Sequence, residues 1–423
     1  MAGGAPRGCS RSARSDAGWA RDFQGDAVRL LLVTAGTRGD VDPFAVLARR
    51  ALRAGHEVRL VVPDNSGVDT SGIDTASLGV DYSRWIEHQG VSLGAALRSY
   101  RSVVRPAIRR VMIESARAVL EYSPDVLVAH PKILSAPLVA EALGIPFVWV
   151  EMVPVLTPTR AFPAAGTVSR NMGPLNRFTY RAVAGGAAMF RRDLGEVAKL
   201  VGFRGGRIAP PAATLMPISP AILQRPPDWP ATVHLTGPWR TPAAGLVPDH
   251  VAEFMAGGEY VYAGFGSMAA GDPVARAREV VGGIRRTGAR SLIATGLGGL
   301  SVPPEVLGDD VLVMHSVAHD VVLPLARAAV HHGGIGTVQA ALAAGTVSVI
   351  VPFIADQPFW GARVHKGGLG PSPIRQRALT SGRLEAALSQ AGEYRPAVQR
   401  AARVMAAEDG PAAAVDIIET LHR

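Results

Sequence analysis

The feature that most constrains this chain is a short apolar run that ends in glycine and leads into a helical pattern. Ala27–Ala35 is largely apolar and of strand length, Gly36 ends it, and the helical period of Asp42–Ala54 has Pro43 in its first turn and Gly55 as its stop. Apolar runs without alternation are typical of strands buried on both faces of a parallel sheet. Proline suits the first turn of a helix and glycine its end. The pattern therefore predicts a strand, a turn and a helix of an α/β fold.

The same alternation continues through the first half of the chain. It predicts strands at Glu57–Val62, Val126–Ala129 and Pro146–Val150, and a helix at Ser135–Leu143. Helical spacing predicts one or two helices over Leu93–Tyr122, whereas 151–205, rich in Pro, Gly and Arg, is predicted to be an irregular, mobile surface segment. Because crossovers between parallel strands are right-handed, the first half is predicted to be a doubly wound sheet.

A dense group of prolines divides the chain. Ten prolines lie between residues 210 and 248 and predict a linker, because proline interrupts helices and central strands. Beyond them the alternation resumes. Helices are predicted at Pro273–Thr287 and Ile335–Ala344, and strands at Tyr260–Gly264, Ser291–Thr295, Val311–Met314, Ala328–His331 and Val347–Val351. We therefore predict a disordered tail over 1–26, an N-terminal domain over 27–222, a linker over 223–250 and a C-terminal domain over 251–423, whose last helix is free to pack back on the N-terminal domain. Two such sheets that face each other form a cleft at the carboxyl ends of their strands.

Composition excludes several functional classes. Of the 44 cationic residues only three are lysine, and the arginines are spread along the chain without the interleaved aromatics of a strand-binding groove. We therefore expect no nucleic-acid partner, while contact of the basic surface with membrane headgroups stays open, as does the choice between monomer and homodimer. No apolar run reaches the roughly 18 residues of a transmembrane helix. The single cysteine, Cys9, excludes an internal disulfide and a Cys-based zinc site, and it fits a cytoplasmic location.

Three predicted strands run into glycine-containing turns, at Gly36–Asp40, Gly264–Met268 and His331–Thr337. Glycine lets a backbone approach a phosphate closely, and the N-terminus of the following helix favours negative charge, so each turn is a candidate anion cradle. None has the Gly-Lys-Ser/Thr sequence of a P-loop, which argues against kinase or GTPase chemistry. Gly264–Ala269 matches the dinucleotide pattern, but the strand Ser291–Thr295 ends without the acid that holds a ribose, which argues against a nicotinamide oxidoreductase.

Three segments together resemble a known family. They are GTRGDVDPF at 36–44, TPTRAFP at 157–163, and the run from HHGGIGT at 331–337 to VPFIADQPFW at 351–360. From about residue 27 to the C-terminus the chain resembles family 1 GT-B glycosyltransferases, in particular sterol glucosyltransferases and the bacterial enzymes that glycosylate macrolide and glycopeptide antibiotics. The resemblance implies an α/β GT-B fold, in which two Rossmann-like doubly wound domains face each other across a cleft.

The resemblance also implies a reaction and a set of site residues. A hexose would move, with inversion, from UDP-glucose or a dTDP-sugar held by the C-terminal domain to a hydroxyl of a hydrophobic acceptor held by the N-terminal domain, without a metal or other cofactor. Asp40 matches the general base, and Ala340 stands where many relatives carry a glutamate for the ribose. The matched donor residues are, for the diphosphate, Thr37, Arg38, Ser267, His332, Gly333, Gly334, Gly336 and Thr337; for the nucleobase, Ser316 and Val317; and for the sugar, Asp356 and Gln357.

The chemistry of glycosyl transfer independently requires residues of these types. An acceptor hydroxyl is too weakly acidic to attack unaided, so a carboxylate or an imidazole must take its proton, and Asp40 lies at a turn suited to this. The departing diphosphate needs fixed dipoles, which the helix end beside His332 would supply. The plain structural alternatives are that Asp40 is a turn carboxylate, although Asp42 has the stronger claim to cap the helix, and that Asp356 caps the helix that carries Trp360.

Further residues are weaker candidates. His130 and Lys132 follow the strand Val126–Ala129 and would orient the base or meet the acceptor. The aromatic residues that would line an acceptor pocket are Tyr82, Trp85, Phe162, Phe178 and Tyr180.

The alternative function is a non-catalytic nucleotide-sugar-binding partner of another glycosyltransferase. The intact Asp40, His332 and Asp356-Gln357 argue against it, because a degenerate partner would have lost some of them.

Overall fold

Two separate parallel sheets organise the molecule. A computed structural model describes residues 27–82, 100–168, 170–240, 247–268 and 270–422. The tail 1–26, Cys9, Trp85, the part of the predicted Leu93–Tyr122 helix before Tyr100, and Ala269 lie outside the described residues.

The first sheet has seven parallel strands. They are β1 Arg29–Val33, β2 Glu57–Val62, β3 Asp74–Ser77, β4 Val126–Ala129, β5 Phe147–Val150, β6 Ala213–Met216 and β7 Val233–Leu235, in the order β3-β2-β1-β4-β5-β6-β7. Its helices are α1 Arg38–Arg53, α2 Arg105–Tyr122, α3 Ala136–Leu143, α4 Asn176–Ala187 and α5 Arg191–Leu200. Alternate β1 residues enter different cores, Leu30 and Leu32 with α1 and Leu31 and Val33 with α2 and α3. A strand covered on both faces needs the continuous apolar sequence that predicted it.

Two predictions for this half were wrong. The segment 223–250, predicted as a linker, contains β7, because Pro230 and Pro238 flank that three-residue edge strand without interrupting it. The segment 151–205, predicted to be irregular, contains α4 and α5, and its Tyr180 is buried.

The second sheet has five parallel strands. They are β8 Tyr260–Gly264, β9 Arg290–Ala294, β10 Val311–Met314, β11 Ala328–His331 and β12 Ser348–Ile350, in the order β10-β9-β8-β11-β12. Its helices are α6 Asp249–Ala256, α7 Pro273–Arg285, α8 His319–Val322, α9 Ile335–Ala343, α10 Gln357–Lys366, α11 Ser381–Ser389 and α12 Ala391–Ala406. Alternate β8 residues again enter two cores, Val261 and Ala263 on one face and Tyr260 and Tyr262 on the other. The predicted doubly wound arrangement holds in both halves.

Each sheet has one point at which the strand order reverses. In the first sheet this topological switch point lies between β1 and β4, and in the second between β8 and β11. Open α/β sheets bind ligands in the crevice at the carboxyl ends of the two strands beside such a point. The turns that follow β1, β4, β8 and β11 are therefore the places to look for a site.

The two domains contact each other directly. The final helix, α13 (Gly410–His422), buries Ala414, Val415 and Ile418 in the same core as α1 of the first domain. A second contact joins the segment after β6 to α9: the Gln339 amide accepts a hydrogen bond from the Ser219 backbone N–H at 2.9 Å and donates one to the Pro217 carbonyl at 3.0 Å. These buried contacts connect the last strands of the first sheet to α9 of the second.

Candidate active site

The turn after β1 places Asp40 inside the first switch point. Helix α1 begins at Arg38, four residues before the predicted Asp42, and Thr37 occupies its N-cap position. Asp40 is the third helical residue, and its Oδ2 accepts a hydrogen bond from the Thr37 backbone N–H at 3.0 Å, as in a capping box. The prediction that Asp42 caps the helix was wrong, because it took Pro43 to mark the first turn, whereas Pro43 lies inside the helix.

Two residues from the turn after β4 complete the surroundings of Asp40. The Lys132 Nζ lies 2.8 Å from Asp40 Oδ1, and the His130 Nε2 lies 3.4 Å from the same oxygen. Burial would raise the pKa of the Asp40 carboxyl, but the Lys132 ammonium, His130 and the two hydrogen bonds bring that pKa below its usual value. Asp40 is therefore ionised at neutral pH. The structure thus brings together three predicted residues from two neighbouring strands.

His130 is a neutral hydrogen-bond donor at this site. Burial, assisted by the Lys132 charge, lowers its pKa to about 3, and the Asp40 charge offsets this only in part. The Lys132 backbone N–H donates to His130 Nδ1 at 3.1 Å, so the ring proton is on Nε2, which faces Asp40. His130 is thus suited to orient the carboxylate and not to act as the base.

Gly36 makes room for the carboxylate. Its φ is +135°, a value that residues with a side chain rarely adopt. A Cβ atom at this position would overlap Asp40 Oδ2 and lie 2.6 Å from both Asp40 Cγ and Lys132 Nζ. The glycine that ends the first apolar run is therefore required by the close approach of Asp40.

The second switch point is formed by the two glycine-rich turns of the C-terminal domain. Ser267 follows β8, and His332 follows β11, with the His332 imidazole packed 3.8 Å from where a Cβ of Gly266 would lie. Gly334 is the N-cap residue of α9 and has no side chain with which to cap it. The first N–H groups of α9, including those of Gly336 and Thr337, therefore lack a cap from that position, and a helix N-terminus of this kind favours an anion.

The histidines of this region are neutral. Burial lowers the pKa of His332 to about 4, and it lowers the pKa of the fully buried His331 well below the usual value. His331 Nδ1 accepts a hydrogen bond from the Gly333 N–H at 3.1 Å, so it fixes the turn. Gly333, with φ of +87°, allows this turn to pass beside Ile350.

The loop after β10 adds one residue that sequence reasoning missed. Ser316 and Val317 lie in this loop, as predicted, and His319 follows at the start of α8. His319 Nε2 and the Tyr262 hydroxyl are 2.9 Å apart. Burial lowers the pKa of His319, and the charge of Arg38, from the first domain, lowers it further. Arg38 and His319 are thus electrostatic neighbours across the domains, and their separation of 281 positions left no local signal.

The loop after β12 behaves differently from the prediction for Gln357. The Gln357 side-chain carbonyl accepts hydrogen bonds from the backbone N–H groups of Phe353 at 2.8 Å and Ile354 at 3.1 Å, and the residue is buried. These bonds hold the loop that contains Ala355, whose φ of +56° is strained for a residue with a side chain. Gln357 therefore fixes the loop through its side-chain oxygen, while its Nε2 lies 3.2 Å from the Met268 sulfur; sugar binding through that nitrogen stays a prediction.

Asp356 is held by Trp360, and its pKa responds to the charge of Asp40. The Trp360 Nε1–H donates to Asp356 Oδ2 at 2.8 Å, and although Asp356 stands at the N-cap position of α10, its side chain makes no capping hydrogen bond. Burial raises the pKa of the Asp356 carboxyl, and the charge of Asp40 raises it further, while Lys132 lowers it. The two carboxylates from different domains thus sense each other, and Lys132 acts on both.

The predicted aromatic pocket is not formed as a group. Phe162 and Tyr180 are buried in the interior, and the Tyr180 hydroxyl donates to the Phe162 carbonyl at 3.2 Å. Phe178 points to solvent. Burial, with a smaller contribution from the Asp40 charge, raises the pKa of Tyr82 to about 12.

Two further expectations concern metal ligands and membrane-spanning helices. Within the described ranges, no group of three or more His, Cys, Asp or Glu side chains has an arrangement that could hold a metal ion. No helix within those ranges is both long and apolar enough to cross a bilayer. Metal independence of the reaction stays a prediction.

Two family models match the two halves of the chain. Residues 30–163 match the glycosyltransferase family 28 N-terminal domain, and residues 300–421 match the erythromycin biosynthesis protein CIII-like C-terminal domain. The first match contains the turns after β1 and β4, and the second contains those after β11 and β12. The residues that surround Asp40 and His332 therefore lie in the matched regions.

Relatives in sequence cover nearly the whole chain. It is 32% identical over 428 residues to the O-mycaminosyltylonolide 6-deoxyallosyltransferase of Streptomyces fradiae, covering 93% of this chain and 97% of that protein. It is 30% identical over 417 residues to a sterol 3-beta-glucosyltransferase of Arabidopsis thaliana, covering 92% of this chain and 64% of the plant protein. The chain thus spans less than two thirds of the length of that plant relative.

Solved structures share the fold. The glycosyltransferase of kitacinnamycin superposes with a TM-score of 0.67 at 19% identity, covering 94% of this chain and 100% of the other. The calicheamicin glycosyltransferase CalG4 gives a TM-score of 0.65 at 20% identity, covering 93% and 98%. These likenesses confirm the predicted GT-B arrangement of two Rossmann-like domains. With a relative aligned along almost its full length, the chain belongs to the family 1 GT-B glycosyltransferases.

Proposed function

We propose that this protein transfers a hexose from a nucleoside diphosphate sugar to a hydroxyl of a hydrophobic acceptor, with inversion and with Asp40 as the general base. The donor would be UDP-glucose or a dTDP-sugar. The acceptor class is suggested by the relatives, whose names specify a sterol and O-mycaminosyltylonolide. The proposal is carried by one observation: the switch point of the first sheet holds a carboxylate fixed by Lys132, His130 and the Thr37 N–H, and that of the second sheet holds a helix N-terminus without a side-chain cap.

The contacts of Asp40 support its role as the base. Asp40 Oδ2 is bound by the Thr37 N–H and Oδ1 faces Lys132 and His130, so the carboxylate is fixed in direction before an acceptor arrives. Its side chain keeps about a fifth of its surface exposed, which leaves an approach for a hydroxyl. A positioned base of this kind contributes about 10²–10⁴-fold to the rate.

The turns at the second switch point support binding of the donor diphosphate there. The N–H groups at the start of α9 and the turn around Ser267 converge with His332 between β8 and β11. Because burial keeps His332 neutral, the charge of the diphosphate would be met by N–H dipoles and by Arg38, not by an imidazolium. Asp356 would meet a sugar hydroxyl from the loop after β12, whose Ala355 lies beside Gly166 of the first domain.

The test compares two substitutions on the same helix. In Asp40→Asn, we expect turnover to fall by about 10²–10⁴-fold while donor affinity, measured by calorimetry with UDP and dTDP and their sugars, is retained. In Asp42→Asn, two residues further on, turnover is expected to stay within about twofold of wild type, since surface substitutions are usually close to neutral.

Two results would speak against the assignment. Equal turnover of Asp40→Asn and wild type would remove Asp40 from the mechanism. Tight donor binding without transfer to sterols, macrolides or aromatic polyketides, in the wild type as well, would favour the accessory, non-catalytic alternative.

A further inference from the structure

One segment of the N-terminal domain contains no acidic residue. Between residues 152 and 192 the sequence has six arginines and no aspartate or glutamate. Of the acids that flank this segment, Glu151 is buried, Asp193 is turned into the protein, where it faces Arg105, and Glu196 pairs with Arg109. Arg177 is paired with Asp228 at 3.2 Å. The positive charge along this segment is therefore only partly balanced by the acids around it.

The same segment exposes large apolar side chains. Of the thirteen such side chains that are exposed in the described part of the chain, five lie between residues 168 and 189. Phe178 is 58% exposed, Leu175 56% and Met189 62%. Concentrated exposure of this kind in a monomer marks a contact surface, whereas single exposed residues need no explanation.

Helix α4 explains why these side chains face outward. Its inner face carries Asn176, Thr179 and Tyr180, which are buried and bound to the 160–164 loop: Asn176 donates to the Arg160 carbonyl at 2.8 Å, and the Thr179 hydroxyl accepts from the Ala164 N–H at 2.8 Å. Phe178 lies on the opposite face of α4, and Met189 lies on the short 3-10 helix Ala188–Phe190 that leads from α4 to α5. The buried polar residues thus hold the helix with Phe178 facing outward.

Three arginines flank these apolar side chains. Arg181 lies 5.2 Å over the Phe178 ring, and Arg191 and Arg192 follow Met189 at the start of α5. All three are exposed. We call Leu175, Phe178 and Met189 together with Arg181, Arg191 and Arg192 the basic apolar face.

We propose that the basic apolar face binds the surface of an anionic membrane, with its apolar side chains among the acyl chains and its arginines at the lipid headgroups. Helices that lie in the membrane interface combine aromatic and aliphatic residues on one side with arginines or lysines on the polar side. Each arginine near an anionic leaflet adds attraction. Soluble protein surfaces usually intersperse charges of both signs, whereas the charged side chains of the basic apolar face are all positive.

The placement of this face has a consequence for the cleft, which rests on the proposed function. The loop held by the inner side of α4 continues to Gly166, whose neighbourhood includes the Ala355 backbone beside Asp356. Phe162 of the same loop packs against Phe359 of α10, with ring centroids 5.4 Å apart. Membrane binding through α4 would thus bring the rim of the cleft to the lipid surface, from which a lipophilic acceptor could enter.

The experiment measures vesicle binding and does not depend on catalysis. The full chain is floated with vesicles of pure phosphatidylcholine and with vesicles containing about 30% phosphatidylglycerol, at low and high salt; the expected result is binding to the anionic vesicles that weakens as salt rises. Phe178→Ser with Met189→Ser should lower the partition coefficient by about tenfold or more. Arg181→Gln, Arg191→Gln and Arg192→Gln together should lower it by about a hundredfold.

Matched changes in the other domain serve as the control. Leu325, the most exposed large apolar residue of the described chain at 64%, and Arg400 are replaced by serine and glutamine, and this variant should bind vesicles as wild type does. Melting temperatures of all variants establish that they fold. Absence of wild-type binding, or an equal loss in the control variant, would overturn the proposal. Self-association that requires Phe178 and Met189, without vesicle binding, would overturn it in favour of a second protein chain.

Discussion

Replacing Gly36 by alanine should displace Asp40 and abolish most of the activity. The new Cβ would overlap Asp40 Oδ2 and lie 2.6 Å from Asp40 Cγ and Lys132 Nζ, and the φ of +135° is strained for alanine. The backbone strain costs about 1–3 kcal/mol, and loss of the charge-assisted hydrogen bond from the Thr37 N–H costs roughly 1.5–3 kcal/mol. After the entropic gain of about 0.5–1 kcal/mol from removing a glycine, the free energy of unfolding should fall by about 2–5 kcal/mol.

Gly39 provides the matched control. It lies on the same turn, in the first turn of α1, and a Cβ there would meet no atom within 4 Å. Gly39→Ala should therefore raise stability by about 0.5–1 kcal/mol, the helix preference for alanine, and leave turnover near that of wild type. The contrast between the two variants separates a local clash from a general effect of removing glycine.

Urea unfolding and steady-state kinetics with the best donor and acceptor test this prediction. Turnover of Gly36→Ala should fall to about the level of Asp40→Asn, and the double variant Gly36→Ala with Asp40→Asn should lose little more, since both changes remove the same carboxylate. The reasoning is refuted if Gly36→Ala retains turnover within about twofold of wild type, or if Gly39→Ala is impaired equally.

Other predictions concern the partners of Asp40 and the loop after β12. Lys132→Met removes the ammonium 2.8 Å from Asp40 that favours the ionised form, so the pKa of Asp40 rises and the acid limb of the profile of kcat/KM against pH moves to higher pH; an unmoved limb would show that Asp40 does not control it. Gln357→Leu leaves the N–H groups of Phe353 and Ile354 unpaired and should destabilise the protein by roughly 1–3 kcal/mol per group in urea unfolding, whereas a sugar-binding role alone would raise the KM for donor at unchanged stability. Trp360→Phe removes the donor to Asp356 and should cost about 1–3 kcal/mol in the same measurement; a loss below about 0.5 kcal/mol would show that this bond contributes little.

The parallel sheets could be predicted from the sequence because central strands such as β4, β8 and β11 are covered on both faces, and the partly exposed β2 and β10 follow from the same alternation of strands and helices. Glu57–Val62, Val126–Ala129, Tyr260–Gly264, Val311–Met314 and Ala328–His331 have the predicted bounds to the residue. Continuous apolar runs that stop at glycine or at a polar residue leave little freedom in where a buried strand ends.

The errors arose where local signals compete. Thr37 and Asp40 form a capping box that starts α1 early, and Pro43 concealed it because proline was taken as the mark of a first turn. The prolines around β7 concealed a strand because a three-residue edge strand needs so few ladder bonds. In both cases the competing signal was a proline.

The site divides into a part that follows from strand order and a part that does not. Asp40, His130 and Lys132 converge because β1 and β4 are neighbours, which the βα alternation already implied. Gln357 could not be assigned, since its role depends on the path of a loop in which Ala355 is strained. Phe178 was misplaced because the rotation of α4 is set by its buried polar residues, and amphipathic periodicity does not reveal which polar residues turn inward.

The measurement closest to the central claim is a crystal structure of Asp40→Asn with an intact UDP- or dTDP-sugar. We expect the diphosphate at the N–H groups that begin α9, beside His332 and Ser267. The anomeric carbon of the sugar should be directed toward the substituted side chain at position 40, with room for one hydroxyl between them. A donor bound elsewhere, or a sugar turned away from position 40, would contradict this claim.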